Sequence, residues 1–193
     1  IEFEFPMGFK EMEGIHSRTD FDLKAHEQYS GRKMQYFDSE MNQSYIPYVV
    51  ETAIGLDRMF MSVLSASYKE EKLEDGSERT VLSIPPQLAP VKVAVLPLVK
   101  KDGMPEKAME IFHQLKLEVN CQYDDKDAIG RRYRRQDAIG TPYCITIDNE
   151  SLENNTVTIR ERDTMKQERV DINHIIQVVK DKVDNTPLLN NLV

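Results

Sequence analysis

The sequence predicts an α/β protein, α+β overall: a first part of strands and helices, then a three-layer α/β domain on a mixed sheet. Three features carry this. Strand-like and helical patterns in the second half follow in the order βαβαββα, which sets helices against a sheet. Pro85, Pro86 and Pro90 hold the chain extended between the halves. The halves also differ in charge: residues 1–90 carry 9 Lys and Arg against 16 Asp and Glu, and residues 91–193 carry 16 against 17. These place a first domain at 1–84, a linker at 85–90 and a second domain at 91–193.

In the first part, Ile1 to Phe5 alternates apolar and acidic residues, the period of a half-buried strand. Phe9 to Ile15 reads as another strand. Asp20 to Tyr29 reads as a short helix that ends before Ser30-Gly31. Met34 to Asp38 and Tyr45 to Glu51 are rich in Tyr, Phe, Val and Ile and read as strands. From Gly55 to Tyr68, Leu56, Met59, Phe60, Val63 and Leu64 recur on one helical face. Lys69 to Arg79 is charged and contains Asp75-Gly76, so it reads as a solvated loop.

In the second part, the continuous apolar run Val91 to Val99 reads as a strand buried on both faces. Pro105 to Leu117 is a helix with Pro105 near its first turn and Ala108, Ile111, Phe112 and Leu115 facing inward. Val119 to Tyr123 is a strand, and Ala128 to Ile139 is a helix carrying Arg131, Arg132, Arg134 and Arg135. Tyr143 to Ile147 and Thr156 to Glu161 form a hairpin across the polar loop Asp148 to Asn155. Ile172 to Val183 is a last helix.

The net charge of -8 argues against bulk nucleic-acid binding, but the arginine cluster can bind phosphate locally. No apolar run approaches the ~20 residues a membrane span needs. Cys121 and Cys144 supply neither a disulfide framework nor a zinc site, so a reducing setting is expected. Coiled-coil and collagen patterns are absent. The acidic, alternating start does not read as a signal peptide. The missing initiator Met points to a fragment or a processed chain.

Glu51 to Arg58 has the pattern of a strand, a Gly turn at Gly55 and a helix start. A glycine lets backbone approach a ligand closely, and a helix N-terminus favours anions. Glu51 and Arg58 could equally form an ion pair or face water. On the arginine helix, Arg131, Arg134 and Arg135 share a side and Arg132 is turned away. That stripe suits phosphate, or is a solvated face. Tyr133 is either core or a stacking surface. His16, His26, His113 and His174 form no cluster with metal-ligand spacing.

Glu51 to Arg58, with its lead-in Tyr45-Ile46-Pro47-Tyr48-Val49-Val50, resembles motif 3 of the class II aminoacyl-tRNA synthetases. Gly8-Phe9-Lys10-Glu11, Gly14-Ile15, Arg18-Thr19-Asp20-Phe21-Asp22-Leu23, His26 and Ser30-Gly31 add a resemblance to the dimeric class IIa glycyl-tRNA synthetases. Ala89 to Leu98 resembles the entry strand of the anticodon-binding domain shared by the Gly, His, Thr and Pro enzymes. Tyr123-Asp124-Asp125, Ile129 to Tyr133, Arg135-Gln136-Asp137, Ile139 to Pro142 and Val157 to Met165 read as its continuation. The likeness runs along nearly the whole chain.

The resemblance implies part of the antiparallel class II catalytic sheet at 1–84, followed by an anticodon-binding domain. It implies a glycine–tRNA ligase that joins glycine to tRNA(Gly) with ATP through a glycyl-adenylate, cytoplasmic, homodimeric at full length and not membrane-bound. Arg58 matches the arginine that lies on ATP, and Glu51 the acid that helps hold ATP and Mg²⁺, for which a carboxylate is a suitable hard ligand. Gly55 completes the ATP-binding turn. Glu11 matches the carboxylate that binds the glycine ammonium. Glu13 is the alternative, placed on the same face if the two share a strand. Ala53 stands where many relatives carry a substrate-contacting Ser. Arg131, Arg134 and Arg135 are the implied tRNA contacts, because anticodon bases are read by stacking and edge hydrogen bonds. Motifs 1 and 2 are not found, so this chain alone is expected to be inactive and to be the C-terminal part of the enzyme.

The alternative is a non-enzymatic RNA-binding module, which would have no need of Glu11, Glu51, Gly55 and Arg58 in family order. A Rossmann-type nucleotide-binding domain is excluded because no Gly-rich turn follows Val91 to Val99.

Overall fold

The computed structural model describes residues 1–190. The chain forms two compact units, Ile1–Ser65 and Ala66–Val193. The division lies upstream of the proline-rich stretch 85–90.

The first unit is built of small pieces. β1 (Glu2–Phe5) pairs with β2 (Gly8–Glu11), and β3 (Glu13–Thr19) follows after Met12. The expected single strand from Phe9 to Ile15 is therefore two strands, because the chain breaks at Met12, whose N–H turns back to the Ile1 carbonyl. α1 (Phe21–Ser30) ends at Gly31, which has φ +65° and closes the helix in the left-handed conformation. β4 (Tyr36–Asp38) pairs with β5 (Gln43–Tyr45). Ile46 to Tyr48, with Pro47 among them, then interrupts the expected Tyr45 to Glu51 strand, and β6 (Val49–Ile54) pairs antiparallel with β3. α2 (Leu56–Ser67) begins directly after Gly55.

The apolar surface of this unit is largely uncovered. Phe5 is its only buried large apolar side chain, while Ile15, Val50, Leu56 and Phe60 are each at least 60% exposed. The amphipathic face of α2 was readable, but here it meets little.

The second unit opens with a correction. Lys69 to Arg79 is not a loop: β7 (Tyr68–Lys72) and β8 (Glu78–Leu82) form an antiparallel hairpin closed at Asp75-Gly76. Gly76 has φ +79°, and Asp75 accepts the Ser77 N–H. The charge is real, but one strand face is covered, with Arg79 and Val81 buried at alternate positions.

β9 (Val93–Pro97) is buried at every residue. α3 (Met104–Leu115) has Pro105 in its first turn. β10 (Cys121–Tyr123) and α4 (Ile129–Ile139) follow, then β11 (Tyr143–Ile147). The expected loop after β11 contains α5 (Asn149–Asn154), capped by Asp148, which accepts the Ser151 N–H. β12 (Thr156–Glu161) is followed by β13 (Gln167–Asp171), a strand the sequence pattern did not reveal because four of its five residues are exposed. A short 3-10 turn, Ile172–His174, precedes α6 (Ile175–Val183), and α7 (Thr186–Asn190) ends the described chain.

The five strands lie in the order β10-β9-β11-β12-β13, parallel between β10, β9 and β11 and antiparallel beyond. This is the mixed sheet the sequence predicts. Val93, Val95, Ile145 and Val157 face one side and pack with Ala108, Ile111 and Leu115 of α3 and Ile175 and Val179 of α6. Ala94, Leu96 and Cys144 face the other, against Ile129 and Tyr133 of α4. Alternation along β9 thus feeds two helical layers at once.

Candidate functional site

In the first unit, the β3–β6 register decides which candidates share a face. Gly14 lies opposite Ala53 and His16 opposite Glu51, so these four side-chain positions face one way. Glu13 lies opposite Ile54 and faces the other way. Glu11 and Glu13 lie on separate strands with Met12 between them, so alternation along one strand does not relate their faces. The His16 imidazole covers Gly14 so closely that a β-carbon there would collide with it.

Glu51 is not isolated. Its carboxylate lies 3.6 Å from Arg18 Nε, and Arg18 also donates to both oxygens of Asp22 at 2.8 and 3.0 Å. The hydrogen bond to Asp22 raises the Arg18 pKa and holds the Asp22 carboxyl below its ordinary value. Arg58 donates from Nη1 to the Glu11 carbonyl, which ties the start of α2 to the end of β2. Gly55 donates its N–H to the Met12 carbonyl at 3.3 Å, and a β-carbon on Gly55 would meet only the Arg58 side chain, at 3.7 Å. Glu11, Glu51, Ala53, Gly55 and Arg58 are all exposed. Among the described residues, no group of three His, Cys, Asp or Glu side chains could hold a metal ion.

In the second unit, α4 separates its four arginines. Arg132 is buried, donating to the carbonyls of Pro97, Leu98 and Asp127, and so pins the loops that leave β9 and β10. Arg135 is held by Asp124 at 2.8 Å and Asp127 at 2.7 Å. Burial pushes the Asp124 carboxyl up, but the Lys126 N–H and Arg135 outweigh it and leave it below its usual range. Arg131 is 79% exposed, with only a 3.9 Å approach to Asp127. Arg134 is half-buried, and its charge is among the causes that hold the Asp75 carboxyl below its ordinary value.

Sequence reasoning missed a buried charge cluster under α4. Asp137 accepts from Arg160 at 2.8 and 3.0 Å and from Arg79 at 3.1 Å. Arg162 donates to both Asp163 oxygens at 2.8 Å and to the carbonyls of Gly140 and Ile84, each at 2.8 Å. The available signal was alternation: Arg160 and Arg162 are two apart on the β12 strand and its extension, and Arg79 is two from Val81. Tyr133, left open between core and stacking surface, is half-buried, with Arg160 4.7 Å from its ring centre and its hydroxyl 2.6 Å from Thr146 Oγ1.

Residues 92–182, which hold this sheet and its helices, match the family model described as the anticodon binding domain. This segment is similar to anticodon-binding domains. The chain as a whole is homologous to glycine–tRNA ligases. It is 52% identical to that of Chlorobaculum tepidum over 95% of this chain and 39% of the relative. It is 51% identical to that of Treponema denticola over 96% and 42%, and 48% identical to that of Clostridium tetani over 95% and 39%. The chain thus spans about two fifths of the length of the curated relatives it matches. The anticodon-binding domain match begins after the hairpin β7–β8, so Arg79 reaches into the domain from outside it. No helix among the described residues is long and apolar enough to cross a membrane.

Proposed function

We propose that this chain is the C-terminal portion of a glycine–tRNA ligase, which joins glycine to tRNA(Gly) at the expense of ATP through a glycyl-adenylate. The supporting observation is that matches of about one half identity cover 95% and 96% of the chain, and so extend over both units and not over the anticodon-binding domain alone. A stand-alone RNA-binding module would leave the likeness of residues 1–65 without a purpose.

On this reading the first unit contributes one edge of an adenylation site. Arg58, free at the start of α2 except for its bond to the Glu11 carbonyl, lies against ATP and offsets phosphate charge. Gly55 leaves room beside it. Glu51 faces the same way as Ala53, and glycine would bind between that face and Glu11. Glu13 points away from Glu51 and is the weaker of the two ammonium ligands. The Glu51 carboxylate, 3.6 Å from Arg18 Nε, would have to share itself between that guanidinium and a Mg²⁺ arriving on the ATP phosphates, an ion that takes one or two carboxylates and completes its shell with phosphate and water. When bound, that ion would neutralise phosphate charge. The exposed apolar faces of β3, β6 and α2 would be covered by the rest of the catalytic domain, including motifs 1 and 2 and the homodimer interface. The setting is cytoplasmic, in keeping with two free thiols. In the second unit Arg131 and Arg134 meet tRNA phosphates, and Arg135 joins them by exchanging its Asp partners.

Glycine-dependent ATP–pyrophosphate exchange tests the reading. The full-length protein should catalyse it and charge tRNA(Gly), while the 193-residue chain should do neither. Exchange by this chain alone would refute the division of labour, and a full-length protein that activates another amino acid would refute the assignment.

A further inference from the structure

We infer that Arg79 is a positioning residue for RNA recognition: from the hairpin β7–β8 it holds α4, through Asp137, in the orientation that presents Arg131 and Arg134. The inference rests on the reading that α4 contacts tRNA.

The geometry is that of a clamp. α4 lies against the sheet on one side, and its Gly140 cap, at φ +86°, approaches Leu82 O and Ile84 so closely that a β-carbon would stand 3.3 and 3.1 Å from them. Between helix and hairpin lies Arg79, whose side chain is 1% exposed. Its Nε donates to Glu71 at 2.7 Å, and its Nη1 donates to Asp137 at 3.1 Å and to the Arg162 carbonyl at 2.9 Å. Asp137 in turn takes both ends of Arg160. Arg160 lies over Tyr133, one turn back along α4. One guanidinium therefore ties β7, β8, α4 and the end of β12 together.

Stability alone is a poor reason for such a cluster. A buried ion pair is often no more stabilising than apolar side chains of the same volume. What apolar packing does not supply is direction. A planar guanidinium with several filled donors accepts its partners in one arrangement, and lysine, a point charge, cannot reproduce it. A shift of α4 would move Arg131 and Arg134 and leave the first unit's residues untouched.

The test uses the full-length protein as wild type, Arg79→Gln, Arg79→Lys and Val157→Ala. Val157 is fully buried in the core cluster on the opposite side of the sheet from α4. Three quantities are read: KM for tRNA(Gly) in charging, glycine-dependent exchange, and melting temperature. Arg79→Gln is expected to raise the tRNA KM by about tenfold, the scale of one displaced charged contact, with exchange unchanged. Arg79→Lys should recover part of the melting temperature but not the KM. Val157→Ala should lose melting temperature without moving the KM. If the wild type charges tRNA(Gly) and Arg79→Gln has its KM, or Val157→Ala raises the KM as much, the inference falls alone. If the wild type does not charge tRNA(Gly), the functional reading falls and takes the inference with it.

Discussion

Asp137 and Arg160 face each other across α4 and β12 with two hydrogen bonds, at 2.8 and 3.0 Å, and neither side chain is more than 6% exposed. Arg79 shares the same carboxylate. Asp137→Ala leaves the buried Arg160 without its carboxylate and Arg79 with only that of Glu71, and is expected to cost about 3–5 kcal/mol in chemical denaturation of the whole chain, the penalty for breaking a buried pair from one side. A loss below ~1 kcal/mol, the range of exposed pairs, would mean that water replaces the carboxylate.

The hairpin belongs to the fold of the second unit although the anticodon-binding match starts at residue 92. A chain of residues 66–193 keeps Arg79 with Asp137 and buries Val81, whereas one of residues 91–193 loses both. We expect the longer chain to melt cooperatively and at a higher temperature. Equal melting temperatures in differential scanning calorimetry would show that the hairpin does not share the unit's cooperativity.

Arg58 bonds only to the Glu11 carbonyl and is exposed, so its replacement should spare the fold. In the full-length protein, Arg58→Ala is expected to slow glycine-dependent exchange by about 10²–10³, the effect of losing one preorganised group beside developing charge. Binding of tRNA(Gly) should be unchanged. A normal exchange rate would reject the motif 3 assignment.

The arginines of α4 are not equivalent. Reversing Arg131 and Arg134 to Glu should weaken tRNA(Gly) binding and flatten its dependence on salt, since each phosphate contact contributes about one released counterion to the slope. Arg135→Gln should do less, because its charge is already met by Asp124 and Asp127. Filter binding across salt concentrations separates the two, and a larger effect at Arg135 would reverse their order.

Asp163 sets a pH limit. Burial pushes its carboxyl up, but hydrogen bonds from Arg162 and Ser83 outweigh that and hold it below the ordinary 3.8. Its folded pKa is below its unfolded one, so its stabilisation is complete above the unfolded value. It is lost as pH falls from about 4 through the folded value. The melting temperature of the whole chain should drop through that window, and Asp163→Asn should make the drop shallower. A slope identical to wild type would place the acid sensitivity elsewhere.

Much of the fold was legible. The fully buried β9 follows from a continuous apolar run, and the inward residues of α3 and the turn of Arg132 away from its neighbours follow from periodicity, which reports where each residue meets solvent. The errors share a cause. β7 and β8 looked like a solvated loop because their charges were counted as exposed, while Arg79 is buried by ion pairing. β13 was missed because an edge strand with one open side carries almost no apolar signal. Glu13 was related to Glu11 by alternation along one strand, whereas Met12 divides β2 from β3.

By itself, the sequence determined the second unit's helices α3, α4 and α6, four of its five sheet strands and the candidate residues Glu11, Glu51, Gly55 and Arg58, because these depend on patterns spanning a few residues or on motif order. Only the tertiary structure decided which charges are free. Arg79 meets Asp137 across 58 positions and the Arg162 carbonyl across 83, and Asp137 meets Arg160 across 23. Such partners are chosen by the folded path of the chain, and a guanidinium carries the same charge in the sequence whether it is buried in a clamp or free to meet a phosphate.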